Sequence, residues 1–240
     1  YEKGATKKLT SFGLEVESKV FPGDISDEAF KKEFAAINAD ASVDGILMLR
    51  PLPKQINEQD IEKMIDPAKD LDGISPVNIA KVFSGDTSGF APCTAEAVVC
   101  MLKMNDIALS GKRVAVVGRS MVVGRPLSML LLHENATVTI CHSRTASLPE
   151  VCREADILTA CVGKAAMINH TYVKKDAVVI DVGINVDENG KLCGDVDFAD
   201  LEGTASAAPV PGGVGGVTTA VLAQHLVRAA RMKQEKNSNK

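Results

Sequence analysis

Residues Val116-Val117-Gly118-Arg119-Ser120-Met121-Val122-Val123-Gly124-Arg125-Pro126 leave an apolar stretch and enter a helical one. A strand-to-helix turn of this kind frees backbone N–H groups and the positive end of a helix dipole for a phosphate. The spacing is Gly-x-Ser-x-x-x-Gly, which only approximates the Gly-x-Gly-x-x-Gly dinucleotide fingerprint, so alone it is a weak signal. Where the next strand should end, the chain reads Cys141-His142-Ser143-Arg144-Thr145. NAD-specific proteins usually place an acidic residue there for the ribose hydroxyls. Here Arg119 and Arg144 offer cations and Ser143 a hydroxyl, which suits the 2′-phosphate of NADP better than a bare ribose. The competing reading is two solvated arginines on a loop.

The elements that must hold this loop follow from hydrophobic periodicity. Apolar strands are expected at Arg113 to Val117, Thr137 to Cys141, Ile157 to Cys161 and Val178 to Val182, with helical or loop segments between them. Alternation of this kind requires crossovers and predicts a doubly wound parallel sheet. Before it, a helix is expected from Tyr1 to Phe12, a β-like alternation over Leu14 to Phe21, and a helix capped by Ser26 through about Asn38. The latter carries Ala29, Phe30, Phe34 and Ile37 on one face. A buried strand over Val43 to Leu49 and a short helix over Asn57 to Ile65 come next. Pro67, Gly73, Pro76, Gly85, Gly89 and Pro92 then break the chain into an irregular stretch expected to carry site residues. Thr94 reads as the N-cap of a helix running to Met104. A last helix is expected from Val217 to about Met232, followed by a frayed polar tail.

The 240 residues are 45% hydrophobic and 24% charged, with a formal net charge of −4, which gives no basic footprint for nucleic acid. No window is apolar enough for a membrane helix. A cytoplasmic protein acting on small molecules fits best. The six cysteines form no Cys-x-x-Cys pair and read as buried hydrophobes. His133, His142, His170 and His225 lack ligand spacing, so no metal is expected. The chain opens at Tyr1 in helical sequence without a methionine, which leads us to expect a missing N-terminal segment.

Longer strings now fall into an order. Asp44-Gly45-Ile46-Leu47, Pro51-Leu52-Pro53, Lys69-Asp70-Leu71-Asp72-Gly73, Pro92-Cys93-Thr94, Gly118-Arg119-Ser120, Val179-Ile180-Asp181-Val182-Gly183-Ile184-Asn185, Gly194-Asp195-Val196 and Pro209-Val210-Pro211-Gly212-Gly213-Val214-Gly215 span nearly the whole chain. Together they resemble the methylenetetrahydrofolate dehydrogenase/methenyltetrahydrofolate cyclohydrolase family. The resemblance implies two lobes with a cleft between them. Residues 1–92 plus 217–240 would form a smaller α/β folate-binding lobe, and 93–216 an NADP-binding Rossmann-like lobe. It implies NADP as cofactor, 5,10-methylenetetrahydrofolate as substrate and a homodimer. Tyr1, Asp72, Pro211, Gly212 and Gly215 would meet the folate, with Asp72 and Tyr1 catalytic. Gly118, Arg119, Ser120, Ser143, Arg144, Ile184 and Thr218 would meet the cofactor. Each has a bland alternative: Tyr1 as a surface helix residue, Asp72 as a cap for the turn at Gly73, the Pro-Gly run as a tight turn.

Hydride transfer from the methylene bridge needs alignment more than a strong base, because the methenyl cation is delocalised over two nitrogens. Hydrolysis of that cation needs a titratable group. In the family this task falls to a lysine four residues after the tyrosine and a glutamine two residues before Pro-Leu-Pro. Here those positions are Ala5 and Leu49. Lys3 and Lys7 lie two residues away, about 200° around a helix. The expectation is a dehydrogenase with absent or weak cyclohydrolase activity. The alternatives are a bifunctional enzyme that also makes 10-formyltetrahydrofolate, and a non-catalytic dinucleotide-binding scaffold. Two further departures are Arg50 at a usually apolar position and Gly216-Val217 where the family commonly has Pro-Met.

Overall fold

The computed structural model describes residues 2–238, so the role expected of Tyr1 lies outside the described residues. The chain divides into two units. One comprises the residues up to Cys93 with those from Thr219 onward, and the other is Thr94–Thr218.

In the first unit the chain forms α1 (Glu2–Ser11), α2 (Asp27–Ala39), α3 (Glu58–Met64) and α4 (Pro76–Ser84). Ser26 caps α2 as its sequence promised, its hydroxyl accepting from the Ala29 N–H at 3.2 Å. Phe30 and Phe34 pack with Ile56, Ile61, Ile65 and Ile74, whereas Ala29 faces solvent. Removing the fully buried Ile61 side chain from such a site costs on the order of 3 kcal/mol.

Two expected strands do not form here. Leu14 to Phe21 is irregular, with Val20 82% exposed, and Val43 to Leu49 reduces to one parallel bridge between Ile46 and Asp70. Alternation specifies which face of a strand is apolar, but a ladder also needs a partner along its length. The irregular stretch before Pro92 contains a helix the sequence reading missed. Ser75 caps α4, Pro76 occupies its first turn, and Gly85 closes it in the left-handed region.

The second unit is built on a five-stranded parallel sheet. Its strands are β1 (Arg113–Val117), β2 (Thr137–Cys141), β3 (Ile157–Ala160), β4 (Ala177–Asp181) and β7 (Ala205–Ala208), in the order β2-β1-β3-β4-β7. Between β4 and β7, β5 (Asn185–Val186) and β6 (Leu192–Cys193) make a separate antiparallel pair. The helices of this unit are α5 (Cys93–Met104), α6 (Gly124–His133), α7 (Leu148–Arg153) and α8 (Phe198–Leu201). Only β1, β3 and β4 are buried almost throughout, as expected for strands covered on both faces. β7 was not anticipated, because Ala-Ser-Ala-Ala has neither bulk nor branching to mark a strand. It sits at the sheet edge, paired only with β4.

The last helix, α9 (Val214–Ser238), starts earlier and ends later than expected. The tail is not frayed through Ser238, since Lys233 pairs with Asp44 at 2.5 Å. Among the described residues, no helix is long and apolar enough to cross a membrane.

Candidate functional site

Adjacent parallel strands of the second unit end level: Val117 lies opposite both Cys141 and Ala160, and Ala160 opposite Asp181. The loops that leave them therefore emerge along one edge, carrying Gly118, Arg119 and Ser120 after β1, Ser143 and Arg144 after β2, and Ile184 after β4. This is the edge at which open α/β sheets take ligands, where β1 has neighbours on both sides. Six of the seven residues expected to meet a dinucleotide are brought to it. The seventh, Thr218, is buried in α9 with its hydroxyl donating to the Val214 carbonyl at 3.0 Å.

The glycine loop is shaped by close backbone approach. Gly118 has φ +136°, and a Cβ there would collide with the Cys161 carbonyl. A Cβ on Gly124 would collide with the Gly118 carbonyl. No side chain larger than hydrogen fits either position, which answers the irregular spacing seen in the sequence. The Val123 N–H donates to Ser120 Oγ at 3.1 Å and the Arg125 N–H to the Ser120 carbonyl at 3.0 Å. Ser120 thus closes the loop while keeping its own hydroxyl proton to donate. No side chain caps α6, whose N-cap is Val123. Arg119, Ser143 and Arg144 are exposed, and the His142–Thr145 turn is held by the His142 N–H to Thr145 Oγ1 at 2.9 Å. A nucleotide with an extra phosphate fits this arrangement: a cradle without Cβ atoms, two guanidiniums and no carboxylate in the β2 loop. Beneath the loop, Cys161 donates to the Val117 carbonyl, and burial pushes its thiol up to about 12. None of the six cysteines is joined in a disulfide.

Two motifs of the sequence acquire a role here that spacing did not disclose. Asp195 is buried and accepts from the N–H groups of Val162 (2.6 Å), Gly163 (3.1 Å) and Lys164 (2.8 Å) and from Asn185 Nδ2 (2.9 Å). Asp181, also buried, accepts from the N–H groups of Gly183, Asp195 and Val196. Burial pushes the Asp181 carboxyl above the ordinary aspartate range, while these backbone donors pull it down. The two carboxylates tie the loops after β3 and β4 together. Gly183 and Gly194 leave no room for a Cβ beside them.

In the first unit, the turn after the Ile46–Asp70 bridge carries a different pair of acids. Asp70 is fully buried and spent: its oxygens accept from the Ile74 N–H (3.0 Å), the Ser75 N–H (2.8 Å) and Asn78 Nδ2 (2.9 Å). Gly73 adopts φ +60°, where a Cβ would collide with the Phe90 carbonyl. Asp72 does not cap the turn at Gly73. Its Oδ1 accepts from the Cys93 N–H at 2.9 Å, so the start of α5 is served by Asp72, not by the expected N-cap Thr94. The neighbouring Leu71 carbonyl accepts from Cys93 Sγ (3.2 Å) and lies 2.7 Å from His225 Nδ1. Asp72 Oδ2 is left toward Arg50, 4.0 Å away, with the side chain 24% exposed. Burial pushes the Asp72 carboxyl above the ordinary aspartate range, opposed by the Cys93 N–H and by Arg50.

Ala5 is buried with Leu9 on the inner side of α1, and Lys3 and Lys7 are exposed. Leu49 is 43% exposed. Pro211 and Gly212 are exposed in the turn before α9, Gly212 with φ +109°, and Gly215 already lies in the helix. By the division of the chain these three belong to the second unit and Asp72 to the first.

Comparison with known proteins agrees with both halves of this description. Residues 1–72 match the tetrahydrofolate dehydrogenase/cyclohydrolase catalytic domain, and residues 92–234 the NAD(P)-binding domain of the same family. The bifunctional protein FolD of Clostridium kluyveri is 52% identical over 236 residues, covering 98% of this chain and 83% of that protein. The crystal structure of the bifunctional FolD methylenetetrahydrofolate dehydrogenase/cyclohydrolase from Campylobacter jejuni superimposes with a TM-score of 0.94 at 37% identity, over 96% of this chain and 82% of the other. The Trypanosoma brucei enzyme, solved with NADP cofactor and an inhibitor, gives a TM-score of 0.91 at 32% identity, over 97% and 82%. The chain belongs to the tetrahydrofolate dehydrogenase/cyclohydrolase family.

Proposed function

We infer that this chain oxidises 5,10-methylenetetrahydrofolate to 5,10-methenyltetrahydrofolate with NADP as hydride acceptor, and that its cyclohydrolase activity is absent or weak. The observation that carries the first half is the C-terminal edge of the five-stranded sheet, where the Gly118–Gly124 cradle and Arg119, Ser143 and Arg144 gather without a carboxylate after β2. NADP bound there would accept the hydride. Gly118 and Gly124 let the backbone approach a pyrophosphate, and the arginines face the 2′-phosphate. Asp72, with Oδ2 free of backbone donors, would accept from pterin N–H groups and favour positive charge growing on the one-carbon bridge. Pro211, Gly212 and Gly215 complete the proposed folate contacts, and Ile184 and Thr218 the cofactor contacts. Tyr1 retains its proposed folate and catalytic role from the resemblance. A cytoplasmic homodimer is part of the same reading and is checked by light scattering.

The second half rests on Ala5, which brings no amine to the inner side of α1, and on Leu49. A second reading is favoured by the relatives, whose names describe bifunctional proteins: the chain also hydrolyses the methenyl product to 10-formyltetrahydrofolate with some other group. Paired assays separate them. NADPH formation from methylenetetrahydrofolate, faster than NADH formation from NAD, is expected. Disappearance of methenyltetrahydrofolate should stay near the spontaneous rate, and a large acceleration establishes the bifunctional reading instead. No reduction of either nucleotide overturns the dehydrogenase assignment.

A further inference from the structure

Arg50 has the most to explain among the departures from the resembled family, because a guanidinium stands here in a largely buried position. Its side chain is only 19% exposed. One terminal nitrogen, Nη1, faces α3, at 3.3 Å from Glu58 Oε1 and 3.6 Å from Glu62 Oε1. The other, Nη2, faces Asp72 Oδ2 at 4.0 Å. One planar cation thus spans two elements, with three carboxylates around it. Glu62 is itself pushed up by burial, with Arg50 opposing. The fork geometry matters, since an ammonium is a point charge and cannot present two nitrogens in two directions.

We propose that Arg50 is a positioning residue for the dehydrogenase reaction: clamped by Glu58 and Glu62, its guanidinium fixes the direction and the negative charge of the Asp72 carboxylate that meets the folate. The proposal rests on the folate role assigned to Asp72 above. The groups facing Asp72 are few. Arg50 comes from the segment before α3, Asp70 from the same turn, and the Cys93 N–H and thiol from the start of α5; Glu58 and Glu62 act through Arg50. On α9, His225 meets the Leu71 carbonyl and the Cys93 thiol, one step removed from the carboxylate. Arg50 is the cation in this set nearest Asp72, and it lies on the side of Oδ2, opposite in role to the backbone donor on Oδ1. Without it, a half-buried acid beside Asp70 would take up a proton at higher pH and lose its capacity to accept from a pterin.

The test uses the full chain with Arg50→Leu, which puts an apolar side chain there, and Arg50→Lys, which keeps charge without the fork. The pH profile of kcat/KM for methylenetetrahydrofolate is measured for each, alongside the Asp72 carboxyl titration by 13C NMR assigned with Asp72→Asn. For folded Arg50→Leu the loss should be about tenfold on the acid limb of the profile and shrink to about twofold on its alkaline plateau, with KM for NADP unchanged. The Asp72 titration should move to higher pH, and Arg50→Lys should recover part of both effects. An Asp72 titration and an acid limb both unchanged in folded Arg50→Leu overturn the proposal. If the parent chain oxidises no methylenetetrahydrofolate, the functional reading fails while the NMR titration still decides whether Arg50 controls Asp72.

Discussion

The two units share one way of using a buried carboxylate and differ in a single acid that departs from it. In the second, Asp195 and Asp181 give every oxygen to backbone N–H groups or to Asn185, and nothing in their surroundings needs a ligand to complete it. In the first, Asp70 is spent in the same manner, but Asp72 two residues later gives only Oδ1 to the backbone and turns Oδ2 toward a guanidinium. The difference separates architecture from chemistry. A carboxylate whose lone pairs are consumed by main-chain donors is a fastener, whereas one with an oxygen in reserve can meet a substrate.

This contrast is broken most severely at Asp195. Asp195→Ala strands the Val162, Gly163 and Lys164 N–H groups at once, and should cost about 3 kcal/mol or more in denaturant unfolding. An unfolding midpoint equal to the parent's would mean that the fastener is dispensable. Next in size, Asp72→Asn keeps an Oδ1 acceptor for Cys93 and should leave unfolding nearly untouched while lowering dehydrogenase kcat/KM about a hundredfold. If stability falls and turnover survives, the roles of the two carboxylate types have been assigned the wrong way round.

Cofactor preference makes a smaller, sharper contrast within the second unit. Arg144→Ala is expected to weaken NADP about tenfold and leave NAD unchanged, by titration of nucleotide fluorescence, because an exposed guanidinium contributes only through the extra phosphate. An equal loss for both nucleotides would return Arg144 to the status of a solvated loop residue.

The smallest effect is in pH. Asp72 titrates above its unfolded value, chiefly because it is buried. Its protonated form is therefore favoured by folding: the stability it contributes is present below the ordinary aspartate range and is lost as pH rises through the raised folded value. On the proposed role of Asp72 the dehydrogenase rate depends on its carboxylate and should rise over that same window. Rate and stability that move in opposite directions in the parent chain, and no longer do so in Asp72→Asn, would confirm that one group governs both.

Much of the sheet was legible because β1, β3 and β4 are largely apolar runs, a pattern set by burial on both faces, while β2 shows the alternation of a strand with one exposed face. The glycine loop and the His142–Thr145 turn were legible for the same reason, since strand ends fix where loops emerge. β7 escaped because its alanines say nothing about pairing, and α4 because prolines and glycines that cap a helix look like those that break one. The strand expected over Leu14 to Phe21 had the alternation and the one over Val43 to Leu49 the apolar run, but neither found a partner along its length.

What the sequence determined by itself was the family, the strand-and-helix order of the second unit, and the identity of the groups that could do chemistry, Asp72 and Arg144 among them. Tertiary structure alone decided which of those groups are consumed and which are left over. Hydrogen-bond capacity is settled by partners distant in the chain: Cys93 and Arg50 for Asp72, Val162 to Lys164 for Asp195. A string of letters carries the donors and acceptors, but only the folded chain brings them within reach of one another.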